Sequence, residues 1–181
     1  MPWKMTAMSL ADAHAKFSAH IGDNKGILYK VAHTYCHNSE DRKDLVQEIV
    51  VQLWKSYDRY DARFKFSTWM YRVALNTAIS AYRRTQRRTV LVVPHADILG
   101  EPAAEPANCA PDPRIEDLHR IIGGLNELNR ALMLLYLEDR SYHEIATILG
   151  ITETNVATKL NRLKQRIRDQ ISITQNQHGT R

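Results

Sequence analysis

Apolar residues recur at intervals of three and four along most of the chain, and strand-like alternation is nearly absent. This pattern predicts an all-α protein. Ser9 is placed to cap a first helix running to about His20, and a second is expected from about Asn24 to Tyr35, with Ile27, Leu28, Val31 and Ala32 inward. Asn38-Ser39-Glu40-Asp41 reads as a turn and a helix start, its acids favoured at the positive end of the helix dipole. The third helix, about Asp41 to Tyr57, carries a wide apolar stripe of Leu45, Val46, Ile49, Val50, Leu53 and Trp54. Asp44, Gln47, Glu48, Val51 and Lys55 share the opposite face. That face is either a solvated surface or a docking surface for a basic partner.

An aromatic and basic loop follows, from Tyr57 to Phe66, and Ser67 is placed to cap a long helix that ends in Arg83, Arg84, Arg87 and Arg88. Met70, Ala74, Ala78 and Ala81 suit a close-packed inner face, while Trp69, Arg72 and Asn76 lie roughly along another. Rings interleaved with Arg and Lys are what an unwound strand requires, flat faces for bases and cations for phosphates. Phe64, Phe66 and Trp69 equally fit a role as core aromatics, and the segment alone leaves both readings open.

Five of the six prolines fall at Pro94, Pro102, Pro106, Pro111 and Pro113. Proline blocks helix interiors, so this stretch is expected to be an extended, flexible linker. Beyond it, a helix from about Arg114 to Ile122 is closed by Gly123-Gly124, and Asn126 caps the next, whose inward face is Leu128, Leu132, Leu135 and Tyr136. Ser141-Tyr142-His143-Glu144 forms a capping box ahead of a short helix burying Ile145, Ala146 and Leu149. Gly150 stops that helix, and Thr152 caps a longer one carrying Val156, Leu160, Leu163 and Ile167. A short helix, a glycine turn and a second helix make a helix-turn-helix. In a major groove the first turns of that second helix present Thr154, Asn155, Thr158 and Lys159 to base edges, where Asn bonds adenine and the Thr methyl meets thymine. The basic residues further along, Arg162 among them, hold phosphates.

The fold class expected is therefore all-α: two small helical domains joined by a flexible, Pro-rich acidic linker, the second domain a helix-turn-helix. The boundaries are 1–90, a linker over 91–113, 114–171, and a frayed tail over 172–181. Charge follows the same division. Residues 1–88 hold 15 Lys and Arg against 8 Asp and Glu; residues 89–113 hold 4 acids and no base; residues 114–181 hold 10 bases and 8 acids. Two basic lobes flank an acidic strap, a distribution that permits nucleic-acid binding.

Composition narrows the class further. The 181 residues are 44% hydrophobic and 25% charged, ordinary for a globular protein. The longest apolar run, Ala131 to Leu137, falls far short of the roughly 20 residues of a membrane span, so no membrane insertion is expected. Met1-Pro2-Trp3-Lys4 leads into a mixed amphipathic segment rather than a signal peptide. Cys36 and Cys109 form no disulfide framework, which points to a reducing cytoplasm. His143-Glu144 begins like a zinc-protease motif, but Thr147 stands in place of the second His. His33, Cys36 and His37 share a helical face, for which packing is a better account than a metal site. With no Gly-rich phosphate loop and no nucleophile set, neither an enzyme nor a cofactor is expected.

Three stretches together resemble a bacterial RNA polymerase sigma factor of the extracytoplasmic-function (ECF) group. They are Asp44-Leu45-Val46-Gln47-Glu48 with Leu53-Trp54; Phe66-Ser67-Thr68-Trp69-Met70-Tyr71-Arg72-Val73-Ala74-Leu75-Asn76 running on to Arg83-Arg84; and Tyr142-His143-Glu144-Ile145-Ala146 with Leu149-Gly150-Ile151, Val156, Leu160 and Arg162. The resemblance implies that Asp44, Gln47 and Glu48 bind the polymerase β′ subunit. It implies that Phe64, Lys65, Phe66, Trp69, Arg72, Asn76, Arg83 and Arg84 engage the melted −10 element, with Trp69 as a wedge and Asn76 helping to choose the flipped base. Thr154, Asn155, Thr158, Lys159 and Arg162 then read the −35 element, and the second domain touches the β flap. Core polymerase, promoter DNA and an anti-sigma factor are the implied partners. Ser80, Leu75, Thr154-Asn155 and Ala157 depart from the usual pattern, which leaves the promoter sequence unreadable by analogy.

Such a factor melts DNA by binding alone. Stacking costs on the order of 1.4 kcal/mol per base step, and aromatic capture of a base returns about 1–3 kcal/mol. Free in solution the two domains are expected to collapse together, with weak DNA binding. The rival reading is a stand-alone helix-turn-helix regulator whose first domain senses or dimerises; it lacks a sustained heptad pattern.

Overall fold

The computed structural model describes residues 10–36, 38–92 and 121–178. Among them every regular element is a helix: α1 (Leu10–Tyr35), α2 (Ser39–Ser56), a 3-10 turn (Tyr57–Arg59), α3 (Phe66–Val92), α4 (Glu127–Leu137), α5 (Tyr142–Leu149) and α6 (Glu153–His178). The linker expected over 91–113 and the helix expected over 114–122 lie largely outside the described residues.

The first domain is a three-helix unit. Asn38, in extended backbone, accepts the Asp41 amide at 2.7 Å and starts α2, with Glu40 and Asp41 in the first turn. Leu45, Ile49 and Leu53 of α2 are buried, as are Val31 of α1 and Met70, Ala74 and Ala78 of α3. The two alanines let α3 lie close to its neighbours, as their spacing predicted. Two expectations are corrected. Residues 10–35 form one continuous helix rather than two: Gly22 and Gly26 weaken a helix without ending it, and neither proline nor a cap interrupts the segment. Nor does Ser67 cap α3, which begins at Phe66 with the Thr68 and Trp69 amides both bonded to the Lys65 carbonyl.

The second domain follows its sequence signals more closely. Asn126 accepts the Asn129 amide at 2.9 Å and caps α4. The α4 helix ends on Asp139 at φ 53, a left-handed position that Asp tolerates, with the Arg140 amide reaching back to the Leu135 carbonyl. Ser141 and Glu144 make both bonds of the capping box. Gly150 closes α5 at φ 68, and its amide and that of Ile151 both bond the Ala146 carbonyl. Thr152 accepts the Asn155 amide at 3.2 Å at the head of α6. Leu132, Leu135, Ile145, Val156 and Leu160 are fully buried at the meeting of the three helices. The frayed tail expected over 172–181 is corrected in part. The α6 backbone continues to His178 because no proline or glycine interrupts it before Gly179.

The two domains are packed against each other, α4 and α5 lying on α1 and α3. Their buried residues form one continuous cluster. Tyr71 and Leu75, one turn apart on α3, are fully buried outside the predicted stripe of Met70, Ala74 and Ala78, and the Tyr71 hydroxyl lies 3.3 Å from Glu138 of the second domain.

Candidate nucleic-acid interface

Three surfaces carry the residues singled out by sequence. The first is the outer face of α2. Asp44 and Gln47 are exposed, as is Val51, a bare aliphatic in their row. Glu48 is half-buried, and the Arg84 guanidinium stands 3.0 and 3.2 Å from its two oxygens. Two carboxylates and an apolar residue on one helix face suit a basic, partly apolar counterpart.

The second surface is built on an aromatic platform. Phe17, His20, Trp54, Tyr57, Tyr60, Phe66 and Trp69 form a chain of edge-on and stacked rings, with His20 stacked on Phe66 at 4.6 Å between centroids. His20 Nδ1 lies 3.1 Å from the Tyr57 hydroxyl. The loop from Asp61 to Lys65 rests on this platform. The Tyr60 hydroxyl donates to the Phe64 carbonyl at 2.9 Å, and the Phe64 amide bonds the Asp61 carbonyl at 3.0 Å. Arg63 holds both oxygens of Asp61, keeping that carboxyl below its ordinary range. The loop therefore has a fixed shape and turns the Phe64 ring outward, 59% exposed.

Phe66 is the correction here. Expected at the DNA surface, it is 8% exposed, because as the first residue of α3 it turns under the loop onto His20, Tyr60 and Trp69. Trp69 is half-buried in the same platform. Lys65, Arg72 and Asn76 are exposed, Lys65 within 3.4 Å of Glu144 in the second domain. Arg83 and Arg84 have exposed side chains whose heads are engaged, with Glu127 and Glu48 respectively.

The third surface is the head of α6. Thr154, Asn155, Thr158 and Arg162 are exposed and Lys159 is half-exposed, all on the side away from buried Val156 and Leu160. The Thr158 hydroxyl donates to the Thr154 carbonyl at 2.9 Å, and His143 Nδ1 lies 2.7 Å from Glu153 at the helix start. A shallow cleft between the two domains is lined by Arg72, His143, Thr147 and Gly150.

Collapse of the two domains was expected, but the residues of the seam between them were not singled out by sequence. Lys30, Tyr35, Tyr71 and Tyr82 of the first domain meet Glu127, Arg130, Glu138 and Arg140 of the second. One signal was present: Arg130 interrupts an otherwise apolar helix face beside Leu132. Among the described residues no group of three or more His, Cys, Asp or Glu is placed to hold a metal. Burial raises the Cys36 thiol to about 11, which makes it a poor ligand and nucleophile.

Residues 20–88 match the Sigma-70 region 2 family and residues 115–167 match the Sigma-70 region 4 family. The chain is 28% identical over 149 residues to the ECF RNA polymerase sigma factor SigE of Mycolicibacterium smegmatis, covering 80% of this chain. It is 24% identical over 160 residues to SigW of Bacillus subtilis, covering 81% of this chain and 84% of SigW. The chain belongs to the ECF sigma factors. It spans 57% of the length of the mycobacterial SigE. The fold of this sigma factor matches the sigma factor RpoE, solved in complex with the anti-sigma factor NepR from Bartonella quintana, with a TM-score of 0.70 at 18% identity over 87% of this chain and 98% of that one. CnrH, in complex with the cytosolic domain of CnrY, matches with a TM-score of 0.64 at 19% identity over 90% and 94% of the two chains. Sigma factors are non-enzymatic regulators of transcription. Among the described residues no helix is long and apolar enough to cross a membrane.

Proposed function

We propose that this sigma factor binds core RNA polymerase in the cytoplasm and directs it to promoters, acting without a cofactor or catalysis of its own. The outer face of α2, with Asp44, Gln47 and Glu48, docks on the β′ subunit. Phe64, held outward by the Tyr60-anchored loop, captures an unstacked base of the −10 element, while Lys65, Arg72, Asn76, Arg83 and Arg84 track its strand. Phe66 and Trp69 support this surface from below, Trp69 with one edge free to wedge beside the bases. Thr154, Asn155, Thr158 and Lys159 read the −35 element, Arg162 holds its phosphates, and the second domain touches the β flap. Residues 1–90 and 114–171 are the two working units, joined over 91–113. An anti-sigma partner fits this scheme, since the structural match RpoE was solved with the anti-sigma factor NepR.

The observation that carries the reading is the pairing of two unlike surfaces on one chain. One is a rigid loop presenting a bare ring among cations, suited to single strands. The other is a helix head presenting threonine and asparagine, suited to a duplex. A stand-alone regulator has use for the second and none for the first.

Run-off transcription with core polymerase and promoter fragments tests it. The protein with core polymerase is expected to yield discrete transcripts, and neither component alone. Tight, sequence-specific duplex binding by the free protein, with no effect on polymerase, would favour the stand-alone regulator instead.

A further inference from the structure

The head of α6 carries an acid beside the residues assigned to base edges. Thr152 already supplies the cap there, its hydroxyl accepting the Asn155 amide at 3.2 Å, so Glu153, the first residue of the helix, is not needed for that task. The Glu153 side chain is 56% exposed, and its Oε1 lies 2.7 Å from Nδ1 of His143 on α5, itself 78% exposed. An ionised carboxylate only accepts, so Nδ1 carries the hydrogen and donates. Nε2 then stands on the far side of the imidazole from Glu153. One bond joins the two helices of the helix-turn-helix at their outer surface.

Glu153 precedes Ala157 by four residues and Thr154 precedes Thr158 by four, so these residues make two neighbouring rows on α6. The acid therefore runs alongside the two threonines. A Lys or Arg at position 157 would neutralise it from its own helix. Ala157 cannot, and the carboxylate is held from α5 instead. In the major groove only cytosine N4 and adenine N6 present donors, while guanine and thymine present acceptors. The adenine amine stands beside the N7 acceptor, which repels the second oxygen of a carboxylate. Cytosine has no such neighbour.

We propose that Glu153, on the assignment of α6 to the −35 element made above, reads a cytosine through its N4 amine, with His143 as the positioning residue that aims the carboxylate. The first helix of a helix-turn-helix crosses the DNA backbone while the second enters the groove. A bond from α5 to the head of α6 lies where both are within reach, so Nε2 of His143 faces a phosphate while Nδ1 fixes the acid over the base. Glu153 also works by exclusion: opposite guanine or thymine its charge meets an acceptor and opposes binding. A first-turn acid favours the helix dipole as well, but that effect does not depend on the base opposite.

The test uses holoenzyme reconstituted from core polymerase and the full chain, selecting from a promoter library randomised across the −35 element. Wild type is expected to prefer cytosine at one position, on one strand, by about tenfold. Glu153→Gln offers a donor and an acceptor that match adenine N6 and N7, so the preference there should move to adenine with the other positions unchanged. His143→Ala should relax the cytosine preference a few-fold at that position alone, and His143→Asn, which keeps a side-chain donor, should restore it. Far-UV circular dichroism checks that each variant keeps its helix content. A further arm needs only the wild-type protein: 2-pyrimidinone, which is cytosine without its N4 amine, should weaken holoenzyme binding about tenfold when placed at the selected position.

An affinity loss in Glu153→Gln that is equal for all four bases would mark a helix-start charge and overturn the base-reading role. A 2-pyrimidinone promoter bound as tightly as the cytosine promoter would overturn it without any variant. If His143→Ala leaves the preference intact, or His143→Asn fails to restore it, the positioning role falls. Failure here is distinguishable from failure of the proposed function. Wild-type holoenzyme that gives discrete transcripts and selects −35 sequences, yet prefers cytosine nowhere, means that Glu153 alone is misassigned. Holoenzyme that selects no promoter means that the sigma reading is.

Discussion

Arg84, near the end of α3, grips both oxygens of Glu48 on α2 at 3.0 and 3.2 Å. A residue assigned to DNA thus orients a residue assigned to polymerase, while Asp44 and Gln47, the other two residues assigned to polymerase, are exposed. Asp44→Arg is expected to weaken binding to core polymerase at least tenfold in a fluorescence-anisotropy titration, by reversing an exposed charge against a basic partner. Arg84→Ala removes one exposed ion pair, so its effect on the same titration should be at most a few-fold. Equal losses for both would mean that the face is built around Glu48 alone.

Tyr60 separates the shape of the −10 loop from its stacking surface. Tyr60→Phe keeps the ring against Phe66 and Trp69 but deletes the bond to the Phe64 carbonyl. A typical intramolecular hydrogen bond contributes about 0.5–1.5 kcal/mol, so open-complex formation should slow by about tenfold or less, with closed-complex affinity nearly unchanged. Phe64→Ala removes the ring itself, worth about 1–3 kcal/mol per captured base, and should be the more damaging. Stopped-flow fluorescence of a 2-aminopurine in the −10 element separates the two steps.

Gly150 isolates a backbone effect. Nothing lies within 4 Å of where a Cβ would stand, yet φ is +68. Gly150→Ala therefore meets no clash and pays for the left-handed backbone, about 1 kcal/mol. Gly150→Asn should lose less. Urea unfolding followed by circular dichroism gives the difference; equal stability of all three proteins would mean the turn tolerates a right-handed residue.

Elements set by short-range rules were legible in the sequence. Asn38, Asn126, Ser141 with Glu144, Gly150 and Thr152 each act on backbone groups a few residues away, and each does what its side chain dictates. The polar head of α6 was legible for the same reason, since helical spacing alone separates Thr154 and Asn155 from Val156 and Leu160. What sequence pattern did not give is set at long range. Phe66 looks like an aromatic beside cations until α1 brings His20 beneath it. Tyr71 falls outside the stripe of Met70, Ala74 and Ala78, and it meets Glu138 and Arg140 of the second domain. Glu127, Glu138 and Glu144 resemble solvated surface acids because their partners lie 44, 108 and 79 residues away.

Arg162 tests the duplex surface through its salt dependence. It is exposed on α6, beyond the base-reading turns. Arg162→Ala in the polymerase complex should weaken promoter binding similarly across −35 sequences and reduce the salt slope by about 1. Asn155→Ala should instead narrow the gap between good and poor −35 sequences, by about 1–3 kcal/mol if it bonds a base bidentately. If Arg162→Ala changed sequence preference and left the slope intact, the two roles would have to be exchanged.

Glu144 makes the second domain sensitive to acid in a defined window. Its carboxyl is held below the ordinary glutamate value of 4.5, first by the bond from the Ser141 amide and then, against some desolvation, by Lys65. A depressed folded-state pKa contributes stability that is fully present above 4.5 and is lost as pH falls through the lower folded value. Glu127 is depressed as well, first by its own amide and then by Arg83, and loses its share over the same interval. Urea midpoints should therefore show no contribution from these groups to pH dependence between pH 7 and 5, and a decline below 4.5. In Glu144→Gln the cap persists without a titrating group, so the variant starts lower at pH 7, having lost a negative charge at a helix start, and falls less in acid. E127Q/E144Q should be flatter still. A wild-type decline centred at pH 6 would mean that these two carboxylates do not set the acid sensitivity.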